Sequence, residues 1–338
     1  MQKVLFAAVL GGLTAAASAD LIVYEPFNYA PTTPYNAADD GERGLSDADG
    51  AGGWLFDPNP AVARDEGARV VTGGLNSTAP GYPASIGNSV ELHGNRDASQ
   101  SVLPLPGRPY GEGTTLYYSV LLRVNDVGGI ATNTLGNYRD GSFIAGFFEV
   151  GYTTDVNGDP LEGNLTTAGS AGAPLLIRGA NGGVGGTATA YQLGTSLTAT
   201  AADRRWFGDN DADGTDTDGA NAATDFDQSD ELLLVFSYTN NNNADDVARM
   251  WINPNPSQSE AANAAALAVE YQSSVNEIPN NQINSFFFRA NAVAPDVMQF
   301  DELRVSTTWE DAFAVPEPGS VALLSLGGLA LARRRRRS

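Results

Sequence analysis

Residues that build common catalytic centres are absent or nearly absent from this sequence. None of its 338 residues is cysteine, so no disulfide can stabilise a folded domain and no thiol can serve as a nucleophile. His93 is the only histidine, and no G-x-S-x-G elbow precedes a helix. Patterns for nucleotide, haem or zinc binding are also missing. Because a lone histidine at the end of a strand is more often structural, we predict no catalytic residues.

Positive charge is scarce as well. The sequence has 19 basic and 40 acidic residues, for a net charge of -21. Six basic residues, Lys3 and Arg333–Arg337, lie at the two ends, which makes the central region more acidic still. Such a surface repels phosphate backbones, so nucleic acid is excluded as a partner class. Two explanations of the acidity stay open, namely attraction of divalent cations and simple solubility in salt.

The N-terminus has the order of a secretory signal. Lys3 supplies a positive charge, the apolar stretch Val4–Leu13 follows, and Ala17 and Ala19 form a small-residue cleavage site before Asp20. The apolar stretch is too short to cross a bilayer as a helix. We therefore predict a signal peptide over residues 1–19, cleavage before Asp20, and export through the secretion machinery.

The C-terminus has three parts in a fixed order. The motif formed by Pro316, Glu317 and Pro318 precedes an apolar run and then the five arginines 333–337. Prolines extend neither a helix nor a sheet ladder, so the motif should be exposed and extended. The apolar run 319–332 has 14 residues, fewer than the roughly 20 that a spanning helix needs, although snorkelling arginines can lengthen it. The arginines favour the cytoplasmic side, which leaves the body of the protein outside.

This order of motif, apolar run and arginines resembles the PEP-CTERM sorting signal. The resemblance covers about the last 24 residues, and it implies a membrane protease-transpeptidase of the exosortase type as a partner. It also implies that residues 315–338 hold the protein transiently in the inner membrane before it reaches the cell surface or the extracellular matrix. Exopolysaccharide or other glycans are the implied surroundings there.

Between these two ends, residues 20–314 have the composition of many short strands joined by turns. The alternation is clearest where Leu116, Tyr118 and Val120 share one face and Ser119 and Arg123 the other. We predict further strands over 143–150, 175–178, 231–238, 247–253, 283–290 and 298–306, with shorter ones over 21–24, 69–72, 90–93 and 101–105. The pattern favours one all-β domain, an antiparallel two-sheet jelly-roll sandwich. The single helix candidate is the alanine-rich run 259–270.

Several segments of this region resemble landmarks of laminin-G-like, concanavalin-A-like jelly-roll domains found in secreted PEP-CTERM proteins. The segments are Tyr24–Tyr29, Gly52–Trp54, Tyr117–Arg123, Met250–Pro254, Phe300–Val305 and Thr308–Trp309, and the match spans residues 21–313. The resemblance implies a jelly roll whose first and last strands lie close together. It identifies no ligand, because this fold serves lectins, carbohydrate-binding modules, glycosidases and adhesive domains.

An aspartate-rich segment around Gly214 is the sharpest chemical motif. Its four candidate calcium ligands are Asp209, Asp211, Asp213 and Asp216. Carboxylates at alternate positions around a glycine turn can wrap one calcium ion, and the spacing resembles the loops of dockerin and thrombospondin type 3 repeats. Ala220, however, stands where an EF-hand has a bidentate glutamate. A weak calcium site and a metal-free acidic insertion therefore remain as alternatives.

Carboxylates and aromatic side chains offer the remaining candidates for polysaccharide chemistry. A glycosidase needs two facing carboxylates, but strand alternation predicts that Asp301 and Glu302 point to opposite faces. We therefore interpret this pair as structural. Aromatic residues could instead stack on sugars, although we expect most of them to lie in the core; the candidates are Trp54, Tyr82, Tyr110, Trp206 and Trp251. Trp206 borders the acidic segment, so we assign the glycan-stacking prediction to Trp206.

These patterns together favour an exported, non-catalytic protein of the cell surface or matrix with an adhesive or glycan-binding role. Two alternatives stay open, a secreted polysaccharide-active enzyme of jelly-roll fold and a purely structural matrix protein. Turnover of a polysaccharide would identify the first alternative. Surface retention without glycan affinity would identify the second.

Overall fold

A computed structural model describes residues 21–29, 31, 54–57, 68–94, 99–106, 110, 113–131, 141–149, 151–154, 160–167, 171–180, 189–197, 204–208, 224–241, 246–272, 283–291 and 293–314. Eighteen strands occur in them: β1 (Leu21–Glu25), β2 (Leu55–Asp57), β3 (Arg69–Val71), β4 (Ser89–Leu92), β5 (Ser99–Pro104), β6 (Thr115–Asp126), β7 (Ser142–Phe148), β8 (Gly151–Thr154), β9 (Pro160–Thr167), β10 (Ala171–Gly179), β11 (Ala190–Thr195), β12 (Arg205–Trp206), β13 (Asp225–Asp227), β14 (Glu231–Thr239), β15 (Val247–Ile252), β16 (Leu267–Gln272), β17 (Ser285–Ala290) and β18 (Val297–Ser306). Three short 3-10 helices cover Gly128–Ala131, Ala261–Ala266 and Glu310–Phe313.

Most of these strands form two large antiparallel sheets. Sheet A has the order β16-β15-β14-β6-β18-β4-β3, with β1 beside β18, and sheet B has the order β12-β11-β10-β7-β17-β5-β2, with β13 beside β11. Strands β8 and β9 form a separate two-stranded sheet. The predicted all-β, antiparallel two-sheet jelly-roll sandwich is confirmed.

The two sheets face each other across an aromatic core, as the alternation in β6 predicts. Tyr118 stacks on Phe236 of sheet A at 4.6 Å between ring centroids, and it meets Phe147 and Phe286 of sheet B edge-on at 5.1 Å each. The Tyr118 hydroxyl donates a hydrogen bond to the carbonyl oxygen of Ala173 in sheet B at 2.9 Å. Edge-on and stacked rings suit aromatic quadrupoles, so one residue of β6 ties four strands together.

The first and last strands of the sandwich pair with each other, as the jelly-roll resemblance predicts. Leu21 lies opposite Ser306, and Glu25 lies opposite Leu303. The predicted long strands correspond to β6, β7, β10, β14, β15, β17 and β18, and the predicted short strands correspond to β1, β3, β4 and β5. The sequence patterns missed β2, β8, β9, β11, β12, β13 and β16, which are short, lie at sheet edges or have weak alternation.

The predicted helix over 259–270 is wrong in its second half. Residues Ala261–Ala266 form a short 3-10 helix, but Leu267–Gln272 form β16, which pairs with β15 at the edge of sheet A. Alanine favours a helix through local backbone terms worth a few tenths of a kcal/mol per residue. The open edge of β15 offers a full ladder of hydrogen bonds instead, and that non-local partner decides the outcome.

Candidate functional site

The predicted targeting residues lie outside the residues that the structure describes. They are the signal-cleavage residues Ala17, Ala19 and Asp20 and the sorting residues Pro316, Glu317 and Pro318. The helices within the described ranges are all too short or too polar to cross a membrane. The predicted signal peptide, its cleavage position and the membrane anchor over residues 315–338 therefore remain predictions from the sequence.

The candidate calcium ligands Asp209, Asp211, Asp213 and Asp216 also lie outside the described residues. The described chain before and after these aspartates is in contact, because the Thr224 backbone N–H donates to the carbonyl oxygen of Phe207 at 2.7 Å. Phe207 also stacks on Phe226 at 5.6 Å between centroids. In the described part of the chain, no three potential metal-ligating side chains come together. The calcium site stays a prediction.

Trp206 lies in β12 at the edge of sheet B and is only 2% exposed. The guanidinium of Arg178 covers its ring at 4.1 Å from the centroid, and Arg178 Nε donates to Gln192 Oε1 at 2.7 Å. The Trp206 indole therefore packs against Arg178 and Leu176. Stacking of Trp206 on a glycan stays a prediction. Of the other aromatic candidates, Trp54 and Trp251 are buried, whereas Tyr82 and Tyr110 are half-buried.

His93 belongs to a network of hydrogen bonds on sheet A, and its structural role stays a prediction. Its Nε2 lies 2.8 Å from Glu91 Oε1, and Arg69 Nε donates to the same oxygen at 2.8 Å. Gln299 donates to the other oxygen of Glu91 at 3.3 Å. Burial alone would raise the pKa of Glu91, but the hydrogen bonds from His93 and Arg69 lower it to about 2. The network thus holds a charged carboxylate across β3, β4 and β18.

Asp301 and Glu302 do not point to opposite faces, so that prediction is wrong. The pairing of β18 with β6 shifts between Asp301 and Arg304, and Glu302 has a left-handed backbone with φ of 54°. This bulge breaks the alternation. Asp301 Oδ2 consequently accepts a hydrogen bond from Leu75 N at 2.8 Å, and Glu302 Oε1 accepts one from Ile86 N at 2.7 Å. Both carboxylates therefore hold the loop 73–87 against sheet A.

Glu302 pairs with one buried cation, Arg304. Its Nη2 lies 2.6 Å from Glu302 Oε2, and both side chains of this ion pair are almost completely buried. Tyr24 donates to the same Glu302 oxygen at 3.0 Å, and Arg304 also donates to the Tyr82 hydroxyl. Burial raises the pKa of Asp301 to about 7, and the Glu302 carboxylate adds to this increase. We name Asp301, Glu302 and Arg304 the ionic cluster; it fastens the fold and does not face solvent.

An open cleft lies on the same outer face of sheet A, further along the strands. Its volume is about 750 Å³. Alternation in β6 and β15 turns Tyr117 and Trp251 outward, away from the core between the sheets. Trp309 follows β18 and packs against both, at ring-centroid distances of 6.2 Å from Tyr117 and 5.0 Å from Trp251. These three rings form an apolar floor, and each of them is at most 8% exposed.

Polar side chains surround this floor. The hydroxyl-bearing and charged residues that line the cleft are Thr115, Arg249, Ser259, Glu260, Thr307, Thr308 and Glu310. The Tyr117 hydroxyl donates to Glu260 Oε2 at 2.7 Å, and the indole N–H of Trp309 donates to the carbonyl oxygen of Gln258 at 2.8 Å. Burial and the neighbouring Glu260 raise the pKa of Tyr117 above its ordinary value. The aromatic side chains are thus fixed, and the rim presents hydroxyl and carboxylate groups to solvent.

The sequence indicated only part of this cleft. Trp251 was a candidate by residue type, and Tyr117 and Trp309 belonged to landmark segments, but neither Tyr117 nor Glu260 was predicted to line a binding site. Period-2 alternation could have placed Tyr117 on the outer face. The meeting of Tyr117 with Trp251 depends on β14, which lies between their strands, and no local signal shows that order.

Comparisons with known proteins support the targeting prediction. Residues 314–337 match the model of the PEP-CTERM protein-sorting motif, so the predicted tail resemblance is confirmed. This motif signals an exported protein that is anchored transiently in the membrane and processed by an exosortase-type system. A search of curated proteins gives no match.

Among solved structures, the chain is similar to domain 4 of AbnA, an extracellular arabinanase from Geobacillus stearothermophilus, with 12% identity, a TM-score of 0.40, and coverage of 87% of this chain and 98% of that one. The chain is also similar to the globular domain of T. cruzi calreticulin, with 9% identity, a TM-score of 0.38, and coverage of 84% of this chain and 95% of that one. A third similar structure is a carbohydrate esterase from the Shiga toxin-encoding bacteriophage phi24B, with 12% identity, a TM-score of 0.37, and coverage of 75% of this chain and 90% of that one. At these low identities and scores, the architecture rests on the strand pairing described above.

Proposed function

We propose that the exported domain is a non-catalytic glycan-binding module of the cell surface or extracellular matrix. The observation that carries this proposal is the cleft on sheet A, with its floor of Tyr117, Trp251 and Trp309 and its polar rim. Its volume of about 750 Å³ falls within the usual size of small-molecule sites, roughly 300–1,000 Å³. A polymer can pass along such an open cleft, which suits a protein held in polysaccharide-rich material.

The chemistry of the cleft suits uncharged sugars. The Thr307 hydroxyl can both donate and accept hydrogen bonds, as sugar hydroxyls do, whereas the hydroxyls of Thr115 and Thr308 already bond Thr239 and Asp311. Among the described residues that line the rim, the one cation is Arg249, which is already paired with Glu270 at 2.6 Å, whereas Glu260 and Glu310 add negative charge. Carboxylated or sulfated sugars would be repelled by this charge. We therefore expect neutral polysaccharides to bind more tightly than polyuronates.

The state of Tyr117 supports a binding role over catalysis. A tyrosine that removes a proton from a substrate needs a pKa near the working pH. Burial and Glu260 raise the pKa of Tyr117 above its ordinary value, away from the working pH. The hydroxyl therefore stays protonated and acts as a hydrogen-bond donor. Glu260 accepts that hydrogen bond and thereby orients the ring. A polysaccharide-active enzyme remains the competing function, and turnover would identify it.

A panel of neutral polysaccharides and polyuronates, measured with and without millimolar calcium and assayed for new reducing ends, tests the proposal. Ala264 is exposed and lines the cleft, whereas Ala262 is exposed on the same short helix but outside the cleft. Ala264→Trp should block the cleft and weaken binding about tenfold, a loss of ~1.4 kcal/mol. Ala262→Trp should leave the affinity unchanged.

Each outcome of this experiment decides between the functions. Loss of binding in Ala264→Trp alone would support the cleft as the site. Equal binding by both variants would place the glycan elsewhere, and a requirement for calcium would direct attention to Asp209–Asp216. Release of reducing ends by the unmodified protein would overturn the non-catalytic proposal. Retention at the surface without affinity for any glycan would favour a structural matrix role.

A further inference from the structure

The chain that follows β18 folds back onto the outer face of sheet A. We name residues 307–314 the C-terminal arm. Trp309, Ala312 and Phe313 are buried against the sheet, in one cluster with Leu121 and Val235. A hydrogen bond from the Ser119 hydroxyl to the carbonyl oxygen of Ala312 fixes the arm to β6. The arm is therefore part of the folded domain.

The arm ends at a residue that the sheet itself holds. Arg304 Nε donates to the carbonyl oxygen of Ala314 at 2.9 Å, and Arg304 is fully buried in the ionic cluster. The match to the sorting motif begins at the same residue, Ala314. The match to the sorting motif thus begins at a residue that the folded domain still holds.

The chain length beyond Ala314 limits how far the domain can stand from a membrane. Only residues 315–318 separate Ala314 from the apolar run 319–332. Even when fully extended, these five Cα–Cα steps span at most about 18 Å. The headgroup layer of a bilayer occupies roughly 5–8 Å of that distance. Ala314 therefore lies within about 13 Å of the lipid surface while the run is in the membrane.

The same arm forms one wall of the cleft. Thr307, Thr308, Trp309 and Glu310 line it, so the cleft and the exit point of the tail lie on one face of sheet A. Leu21, the first residue of β1, pairs with Ser306 immediately before the arm, so both predicted targeting segments leave the sandwich at this place. A domain held through the C-terminal exit point keeps this face close to the membrane.

We propose that the membrane-held precursor keeps its cleft shielded from large polymers and that cleavage of the tail exposes it. This proposal rests on the glycan-binding function of the cleft. Small sugars could still diffuse into the gap, whereas a long polysaccharide could not lie along the cleft. Sorting would then also control when the protein first engages the matrix.

The absence of cysteine allows a direct test on the full chain in phospholipid vesicles. Ala264→Cys places one thiol at the cleft, and Thr224→Cys places one on an exposed position beside sheet B as a control. Each single-cysteine variant is labelled in separate reactions, one with a small maleimide and one with a maleimide attached to a large polymer. A second version carries a flexible Gly-Ser linker of about 30 residues between Ala314 and Val315, with a root-mean-square reach of roughly 30 Å.

In the chain without the linker, the polymer reagent should label Ala264→Cys about tenfold more slowly than Thr224→Cys. The small reagent should label both positions at similar rates. The long linker, or proteolysis within it, should remove the difference. Equal labelling of both positions at native spacing would overturn the proposal. This readout needs no glycan, so it stays informative if no glycan binds; binding of a neutral polysaccharide, measured in parallel, tests the cleft's function separately.

Discussion

Arginine has a carboxylate partner on one outer face of the sandwich and lies over aromatic rings on both faces. On sheet A, Arg304 neutralises the carboxylate of Glu302 in the ionic cluster. On sheet B, Arg178 lies over Trp206 and Arg289 lies over Phe143, each at 4.1 Å from the ring centroid. The first arrangement places charges in a buried environment, where loss of one partner is costly. The second depends on ring quadrupoles and packing, so a change there should cost less.

The ionic cluster should show the largest effect. Glu302→Gln removes the carboxylate and leaves the Arg304 guanidinium buried without its counter-charge, so we expect a loss of about 3–5 kcal/mol in the free energy of unfolding. Urea titration measures this loss. Glu270→Gln breaks the more exposed pair with Arg249 and should cost roughly 0–1 kcal/mol. Similar losses in both variants would contradict the contrast between buried and exposed pairs.

Asp301 should make stability depend on pH in the same region. The folded state keeps the Asp301 proton up to about pH 7, whereas the unfolded chain releases it near pH 4. The folded state therefore binds more protons between these values, and stability should fall as pH rises through this window, by roughly 2–4 kcal/mol. Asp301→Asn should flatten the profile, and Asp227→Asn on an exposed strand should not. A profile unchanged in Asp301→Asn would show that another group controls it.

The aromatic–arginine contacts of sheet B should show the smallest effects. Arg178→Lys loses the planar stack on Trp206 and the hydrogen bond to Gln192, so we expect a loss of about 1–2 kcal/mol. Arg289→Lys loses only the stack on Phe143 and should cost about 0.5–1 kcal/mol. Thermal unfolding of both variants measures the difference. A loss in Arg289→Lys equal to that of Glu302→Gln would remove the distinction between the two faces.

Several features of this protein follow from residues close together in the sequence. Alternation along β6 assigned Tyr118 to the core, and the order of proline, apolar and arginine residues identified the sorting motif. These features could be predicted because strand alternation and targeting signals are properties of short segments. The same argument predicts the outward direction of Tyr117.

The remaining features needed partners that are distant in the chain. Pairing with β15 made Leu267–Gln272 a strand despite the helix propensity of the alanines before it, and the bulge at Glu302 turned its carboxylate toward Ile86. Both outcomes depend on which segments become neighbours, and such non-local contacts leave no periodic signal in either segment.

The sequence by itself therefore determined the all-β class and the sorting tail, because alternation and motif order need no tertiary information. Only the tertiary structure decided that Tyr117, Trp251 and Trp309 form one cleft beside the point where that tail leaves the domain. The physical reason is that these rings come from two strands separated by a third and from an arm that folds back across them.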